Sequence, residues 1–245
     1  MDRAEVKKRV ERLRKTIHHH RYIYHVLDRQ EISDAALDSL KHELKKLEDQ
    51  FPDLITADSP TQRVGGNALK EFKKVRHAEP MLSLEDAFSK EEIKDWISRD
   101  AKIAPAALKT NLFAELKFDG LALSLVYKNG TLFRASTRGD GRVGEDITQN
   151  IKTIEAVPLK LEIHRVMDKH FLYKAKTLLK EGIVEVRGEV IITKKNFEKV
   201  NNEQKKLGLH IFANPRNLAA GSIRQLDPSI TRSRRLGFHA YDFLA

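Results

Sequence analysis

The sequence predicts an α+β protein in which a helical hairpin precedes a mixed, largely antiparallel core, and three observations carry that prediction. Apolar residues in the first fifty positions recur at helical spacing. Later segments alternate at the two-residue period of strands, and an Asn-Gly pair joins two of them. Between these regions lies a stretch rich in Pro, Gly, Ser, Thr and Asp.

In the first region Val6, Val10, Leu13 and Ile17 mark one helix, and Leu37, Leu40, Leu44 and Leu47 mark another after a break around Asp28-Arg29-Gln30. Ser33 is the expected N-cap of the second helix, which puts Asp34 and Asp38 one turn apart near a helix start that favours carboxylates. The run from Phe51-Pro52 to Val64-Gly65-Gly66 reads as a linker, so domains are expected at 1–66 and 67–245. Leu121 to Tyr127 and Thr131 to Thr137 flank Lys128-Asn129-Gly130 as a hairpin. A third strand carries Val184, Val186, Val190 and Ile192 between Glu185, Arg187, Glu189 and Ile191, with one apolar and one charged face expected. Helices are expected around 90–99, 168–180 and 194–206, and Trp96 with the phenylalanines is assigned to the core.

The chain of 245 residues has a formal charge of +10 and no cysteine, which excludes disulfides and thiolate metal sites. Residues 1–66 hold 13 Lys/Arg against 12 Asp/Glu, whereas 67–245 hold 32 against 23. A basic second region suits a polyanionic partner such as nucleic acid. The N-terminal Met1-Asp2-Arg3-Ala4 leads into a charged helix rather than an apolar leader, so a cytoplasmic protein without membrane contact is expected.

The stretch with most chemical content is Lys117-Phe118-Asp119-Gly120, with Glu115 two residues upstream. It places an amine nucleophile, or on the plainest reading a charged hairpin tip, at the entry to an apolar strand. A free lysine has a pKa of about 10.4, so neutralising it at pH 7 costs roughly 4–5 kcal/mol. Desolvation or a nearby cation lowers that cost, while Asp119 would raise it and is better suited to holding a hydroxyl, a metal-bound water or the turn itself. A divalent metal on a phosphate would favour the neutral amine and offset phosphoryl charge.

Gly139-Asp140-Gly141-Arg142-Val143-Gly144 has the G-x-G-x-x-G form, but it follows the second arm of a hairpin rather than the first strand of a βαβ unit. His18, His19 and His20 point in different directions from a helix and are read, with His25, as a solvated face. Phe212-Ala213-Asn214-Pro215-Arg216-Asn217 and Gly221-Ser222-Ile223-Arg224-Gln225 offer two arginines for phosphate, or else form an ordinary surface loop.

Taken together, these residues resemble the N-terminal half of bacterial NAD-dependent DNA ligases. The resemblance includes Tyr24-His25, Asp34 to Asp38, Asp58 to Gly66, His77 and Pro80 to Leu84. It continues through Glu115 to Gly120, Thr137 to Gly141, Gly144 to Asp146, Glu185 to Val190 and Phe212 to Pro228. It implies a helical domain that captures the nicotinamide mononucleotide half of NAD and an ATP-grasp-like nucleotidyltransferase core. Lys117 would take AMP from NAD with Mg2+, then pass it to the 5′-phosphate of nicked duplex DNA. Ser83, Leu84, Glu115, Asp119, Arg138 and Glu189 would contact the adenylate. Tyr24, His25, Asp34 and Asp38 would engage the nicotinamide side, and Arg216 and Arg224 the DNA phosphates. A monomer is implied. Two readings stand beside this one: a nucleotide- or DNA-binding remnant without lysine chemistry, and an ATP-dependent ligase or capping-type nucleotidyltransferase.

The sequence also departs from the family. Leu37 stands where an aromatic residue is usual, so weaker NAD capture is expected. The connection from Leu161 to Val184 is longer than usual, with an extra amphipathic helix. The later Asp-Gly and lysine-rich motifs do not appear before Ala245, nor do the further domains of a whole ligase, so the core is expected to be truncated with unpaired sheet edges.

Overall fold

The computed structural model describes residues 2–26, 29–63, 71–84, 86–163 and 169–245, with backbone alone at 25, 26, 34, 107, 108, 169–171 and 174. Asp28, the Val64-Gly65-Gly66 end of the expected linker and the Asp168 start of the extra helix therefore lie outside the described residues. The N-terminal hairpin forms as its periodicity predicts, from α1 (Arg3–Val26) and α2 (Asp34–Gln50). Val6, Val10, Leu13, Ile17, Leu44 and Leu47 are buried between them, with Leu37 and Leu40 half-buried against the same cluster. Each such fully buried aliphatic side chain contributes about 1.5–3 kcal/mol. Ser33 caps α2 by accepting from the Ala36 N–H at 3.2 Å. On the outer face Arg9 grips Glu43 through two contacts of 2.7 Å.

The stretch after α2 is more than a linker. It winds into 3-10 turns at Pro52–Leu54 and Pro60–Arg63, and Ser59 is fully buried, donating to Glu48 at 2.7 Å. Glu48 also receives Arg14 and Thr61. Arg63, only 5% exposed, reaches into the following region and donates to the Ile154 and Val157 carbonyls at 2.8 and 2.5 Å. Arg21 pairs with Glu155 beside it. Burial and the neighbouring Arg21 bring the Arg63 guanidinium down to about 9, a measure of how far this cation is withdrawn from water. Composition indicates breakers; it does not reveal that one polar residue among them acts as a plug.

The second region is built on an antiparallel sheet ordered β3-β2-β5-β6, from β2 (Leu121–Lys128), β3 (Thr131–Thr137), β5 (Ile183–Ile191) and β6 (Gly237–Leu244). The β2–β3 turn holds Asn129 at φ 52° and Gly130 at φ 73°, the left-handed pair that a two-residue hairpin demands. A separate pair joins β1 (Lys74–Arg76) to β4 (Val143–Glu145). One face of the sheet is sealed by α4 (Thr148–Lys152), α7 (Pro215–Ile223) and neighbouring segments over a core including Leu123, Leu125, Tyr127, Ile151, Val190 and Leu218. Asn150 Nδ2 ties α4 to the Ile223 and Gln225 carbonyls at 2.9 and 2.7 Å. α8 (Pro228–Ser233) joins the same knot through Thr231.

The charged face of β5 forms as expected and its first two charges are buried, Glu185 and Arg187 being 8% and 7% exposed. Three expectations are corrected. Residues 215–223 form helix α7, because Asn214 caps it and Leu218, Ala219, Ser222 and Ile223 are buried, so the surface-loop reading fails. Trp96 lies on α3 (Lys90–Ile103), none of whose residues is buried, and Phe88, Phe113, Phe133 and Phe243 are also exposed. Phe72, Phe197, Phe212 and Phe238 do pack on the core. The histidine run is not uniformly solvated, since His18 and His20 are half-buried. The expected helices appear as α3, α5 (Lys169–Glu181) and α6 (Lys194–Lys206).

Candidate functional site

The sheet's other face opens into a cleft of about 1000 Å³. Its floor is β2 and β5. Glu185 receives Ser124 Oγ and Arg187 Nε, both at 2.8 Å, and Arg187 extends its other nitrogens to the Pro80 and Glu79 carbonyls at 3.0 and 2.7 Å. This buried chain of contacts fixes the segment that leads into Met81-Leu82-Ser83-Leu84. Met81 N–H donates to the Gly141 carbonyl at 2.8 Å, and His77 N–H to that of Arg142 at 2.9 Å. The far wall is thus a strap laced between β5 and the β3–β4 turn.

The glycine-rich turn serves that lacing rather than a dinucleotide fingerprint. Asp140 Oδ1 accepts from the Arg142 and Val143 N–H groups at 2.8 and 2.7 Å, closing the loop on itself. These backbone donors hold the Asp140 carboxyl below its usual range. A Cβ at Gly139 would sit 1.8 Å from the Val143 carbonyl oxygen, at a φ of +58°. The sequence pattern is therefore explained by the turn.

Lys117 stands on the rim. Residues 111–119 run without regular secondary structure and most of them are exposed, Lys117 included, yet Lys117 lines the cleft with Glu115 and Phe118. Gly120 explains the end of the motif: an added Cβ would meet the Val190 carbonyl oxygen at 2.0 Å, so only glycine lets the turn sit on β5. The Gly120 N–H faces the Glu189 carboxylate and favours its charged form. Phe118 stacks on His239 of β6, ring centroids 4.2 Å apart and planes within 2°. His239 is opposite Glu189 in the β5–β6 register, so a stack and a glycine together anchor the lysine turn.

The structure brings Ser83, Leu84, Glu115, Lys117, Arg138, Glu189, Arg216 and Arg224 to this one cleft. Asp119 is exposed and is not among its lining residues. Burial raises the Glu189 carboxyl above its usual range, against the pull of Lys117, Arg216 and Arg138. Burial and Glu189 likewise raise Tyr241, so its hydroxyl stays a proton donor in the cleft. Arg224 already holds Glu145 through contacts of 2.8 and 3.1 Å, and Lys74 approaches the same carboxylate at 3.3 Å. Burial would raise the Glu145 carboxyl, but these two cations outweigh it and hold it low.

Sequence reasoning missed Lys74, Glu145, Arg187, His239 and Tyr241. Glu145 and Arg187 fall within stretches that carry the resemblance, and the other signal was the alternation of charge along β5, which marks a polar face but not its burial. Tyr24, half-exposed at 52%, and Asp38, whose neighbour Lys41 lies 3.4 Å away, do not line the cleft. The side chains of His25 and Asp34 lie outside the described residues. Leu37 spends part of its surface on the hairpin core, an aliphatic contact where a stacking platform was expected to be lost.

Comparison with known proteins agrees with this geometry. The NAD-dependent DNA ligase adenylation domain matches residues 69–245, and the DNA ligase-like, N-terminal NAD+-binding domain matches residues 3–65. A DNA ligase of Carboxydothermus hydrogenoformans is 47% identical over 241 residues, which are 98% of this chain and 34% of that protein. One from Coprothermobacter proteolyticus is 49% identical over 243 residues, covering 99% and 34%. One from Rubrobacter xylanophilus is 48% identical over 240 residues, covering 97% and 33%. The chain spans about a third of the length of the curated relatives it matches. A cleft that gathers a motif lysine, a desolvated carboxylate and several cations, on a sheet preceded by a helical hairpin, fits those matches: the chain belongs to the NAD-dependent DNA ligase family.

Proposed function

We propose that this chain is the adenylate-accepting portion of an NAD-dependent DNA ligase, with residues 1–66 capturing the nicotinamide side of NAD+ and residues 67–245 holding its adenylate half. The observation that carries the reading is the convergence of Lys117, Glu115, Arg138 and Glu189 on one cleft. Lys117 Nζ, once it has lost a proton, attacks the α-phosphorus. A P–N bond to AMP forms, and the P–O bond to nicotinamide mononucleotide breaks. Glu115 accepts from the adenine exocyclic amine, and Arg138 supplies a permanent cation. Ser83 and Leu84 shape the wall, and Tyr24, His25, Asp34 and Asp38 complement the cationic nicotinamide. Asp119 holds the turn or a ribose hydroxyl.

The partly desolvated Glu189 carboxylate in the cleft fits a hard divalent ion and would hold Mg2+ beside the phosphates. There the ion would offset charge on the phosphoryl oxygens. In the whole enzyme the adenylate would pass to the 5′-phosphate of a nick in duplex DNA, and the 3′-hydroxyl would displace AMP, as replication and repair require. Arg216 faces the cleft near Glu189 and suits a DNA phosphate. Arg224 can do so only by exchanging Glu145 for it. No helix among the described residues is long and apolar enough to cross a membrane; a cytoplasmic monomer is part of the proposal.

The test is covalent labelling. Incubation with adenine-labelled NAD+ and Mg2+ should give an acid-labile, alkali-stable AMP adduct that peptide mapping assigns to Lys117. Absence of the adduct, including in a longer chain that restores the relatives' remaining length, would favour a remnant without lysine chemistry. Labelling from ATP in preference to NAD+ would favour the ATP-dependent reading.

A further inference from the structure

Away from the cleft, the histidine run of α1 divides. His18 turns toward the contact with the second region, where burial and then Arg21 hold its imidazole below the usual range. His19 and His20 turn instead to Glu31, just ahead of the α2 cap. His19 Nε2 lies 3.4 Å from Glu31 Oε2, and His20 Nδ1 lies 3.8 Å from the same oxygen. The two rings meet edge to face with centroids 5.3 Å apart, and all three donor atoms fall within 4.8 Å of one another. His20 Nδ1 is buried and has no hydrogen-bond partner.

We propose that His19, His20 and Glu31 form a binding site for a divalent transition ion of the Zn2+ type. Donors on a tetrahedron of metal–ligand length about 2.0–2.1 Å stand about 3.3 Å apart. The two nitrogen–oxygen separations are close to that edge before any ion draws the ligands in. A buried, unpaired imidazole nitrogen is costly when nothing accepts or donates to it, and coordination removes that cost. Two imidazoles and a carboxylate favour zinc, cobalt or nickel over magnesium, which prefers oxygen and retains water. His19 and Glu31 are exposed, so water can complete the shell. The three ligands bridge the later part of α1 to the segment before α2, so an ion here staples the two helices near Tyr24. This site is separate from the adenylation chemistry and does not depend on it.

The test is calorimetric titration of the whole chain with ZnCl2, paired with the visible spectrum of the Co2+ form. The wild type should take up one equivalent and show intense tetrahedral cobalt bands. Glu31→Gln and His19→Ala, both at exposed positions, should each weaken zinc by more than the roughly 10–100-fold typical of losing a mere outer-shell partner, with helical circular dichroism unchanged. His18→Ala and His42→Ala should leave the affinity as it was. Zinc binding that is indifferent to Glu31→Gln and His19→Ala, or that disappears with His42→Ala, would overturn the proposal. So would a wild type that binds no zinc.

Discussion

The floor and the rim of the cleft are built by opposite means. The floor on β2 and β5 is buried and fully engaged: Ser124, Glu185 and Arg187 satisfy one another and hold the strap at Glu79 and Pro80. The rim at 111–119 carries Lys117 on irregular backbone, with Leu112, Phe113 and Leu116 exposed, and is tied down mainly where Gly120 meets β5 and Phe118 meets His239. Stability therefore resides in the floor, and the proposed nucleophile stands on the rim. A nucleophile that must meet a phosphorus gains from a support that can move, while a recognition surface gains from one that cannot.

Substitutions can break that contrast, and Lys117→Ala should have the largest effect on function. AMP labelling should vanish while unfolding free energy, measured by urea titration, stays within about 0.5 kcal/mol of wild type, as for exposed positions in general. Arg187→Met should have the largest effect on stability. It leaves Glu185 as an unpaired buried charge and frees the strap, costing about 3–5 kcal/mol in the same titration. Adding Glu185→Leu should recover much of that loss, because the uncompensated charge goes with it.

Intermediate and smaller effects sharpen the comparison. Glu189 is raised by burial, so the folded protein binds its proton more tightly than the unfolded chain, and stability is lost as pH rises through the folded value. Glu189→Gln should thus raise the melting temperature at pH 7, and do so less at pH 4. The gain should be below about 1 kcal/mol because the carboxylate is only partly desolvated. Ser33→Ala, away from the cleft, should cost about 1 kcal/mol through the lost α2 cap. Leu116→Ser should be the mildest, within about 0.5 kcal/mol by denaturation. A cost as large as that of Arg187→Met would mean that the rim is structural after all.

What could be read from the sequence was local. The heptad-like spacing of Val6, Val10, Leu13 and Ile17, the Ser33 cap and the Asn129-Gly130 turn each encode their conformation in a few adjacent residues, and each formed as expected. The lysine motif was legible for the same reason, and Gly120 now has a steric explanation in the Val190 carbonyl. Features set by distant partners were not legible. Arg63 lies in a breaker-rich stretch but finds carbonyls about ninety positions away. Arg187 reads as one more charge on an alternating strand until Glu79 and Pro80 cover it. Trp96 reads as core by residue type, yet α3 buries none of its residues. Arg224 looked free for phosphate until Glu145, 79 positions earlier, was found in its fork.

The central claim is that the cleft seats an adenylate with its α-phosphate turned to Lys117, and a crystal structure with NAD+ bound tests it most directly. The account predicts a purine against Leu84 and Glu115, with phosphorus facing the Lys117 amine or already bonded to it. A nucleotide found elsewhere on the chain, with this cleft holding only solvent at saturating NAD+, would contradict it.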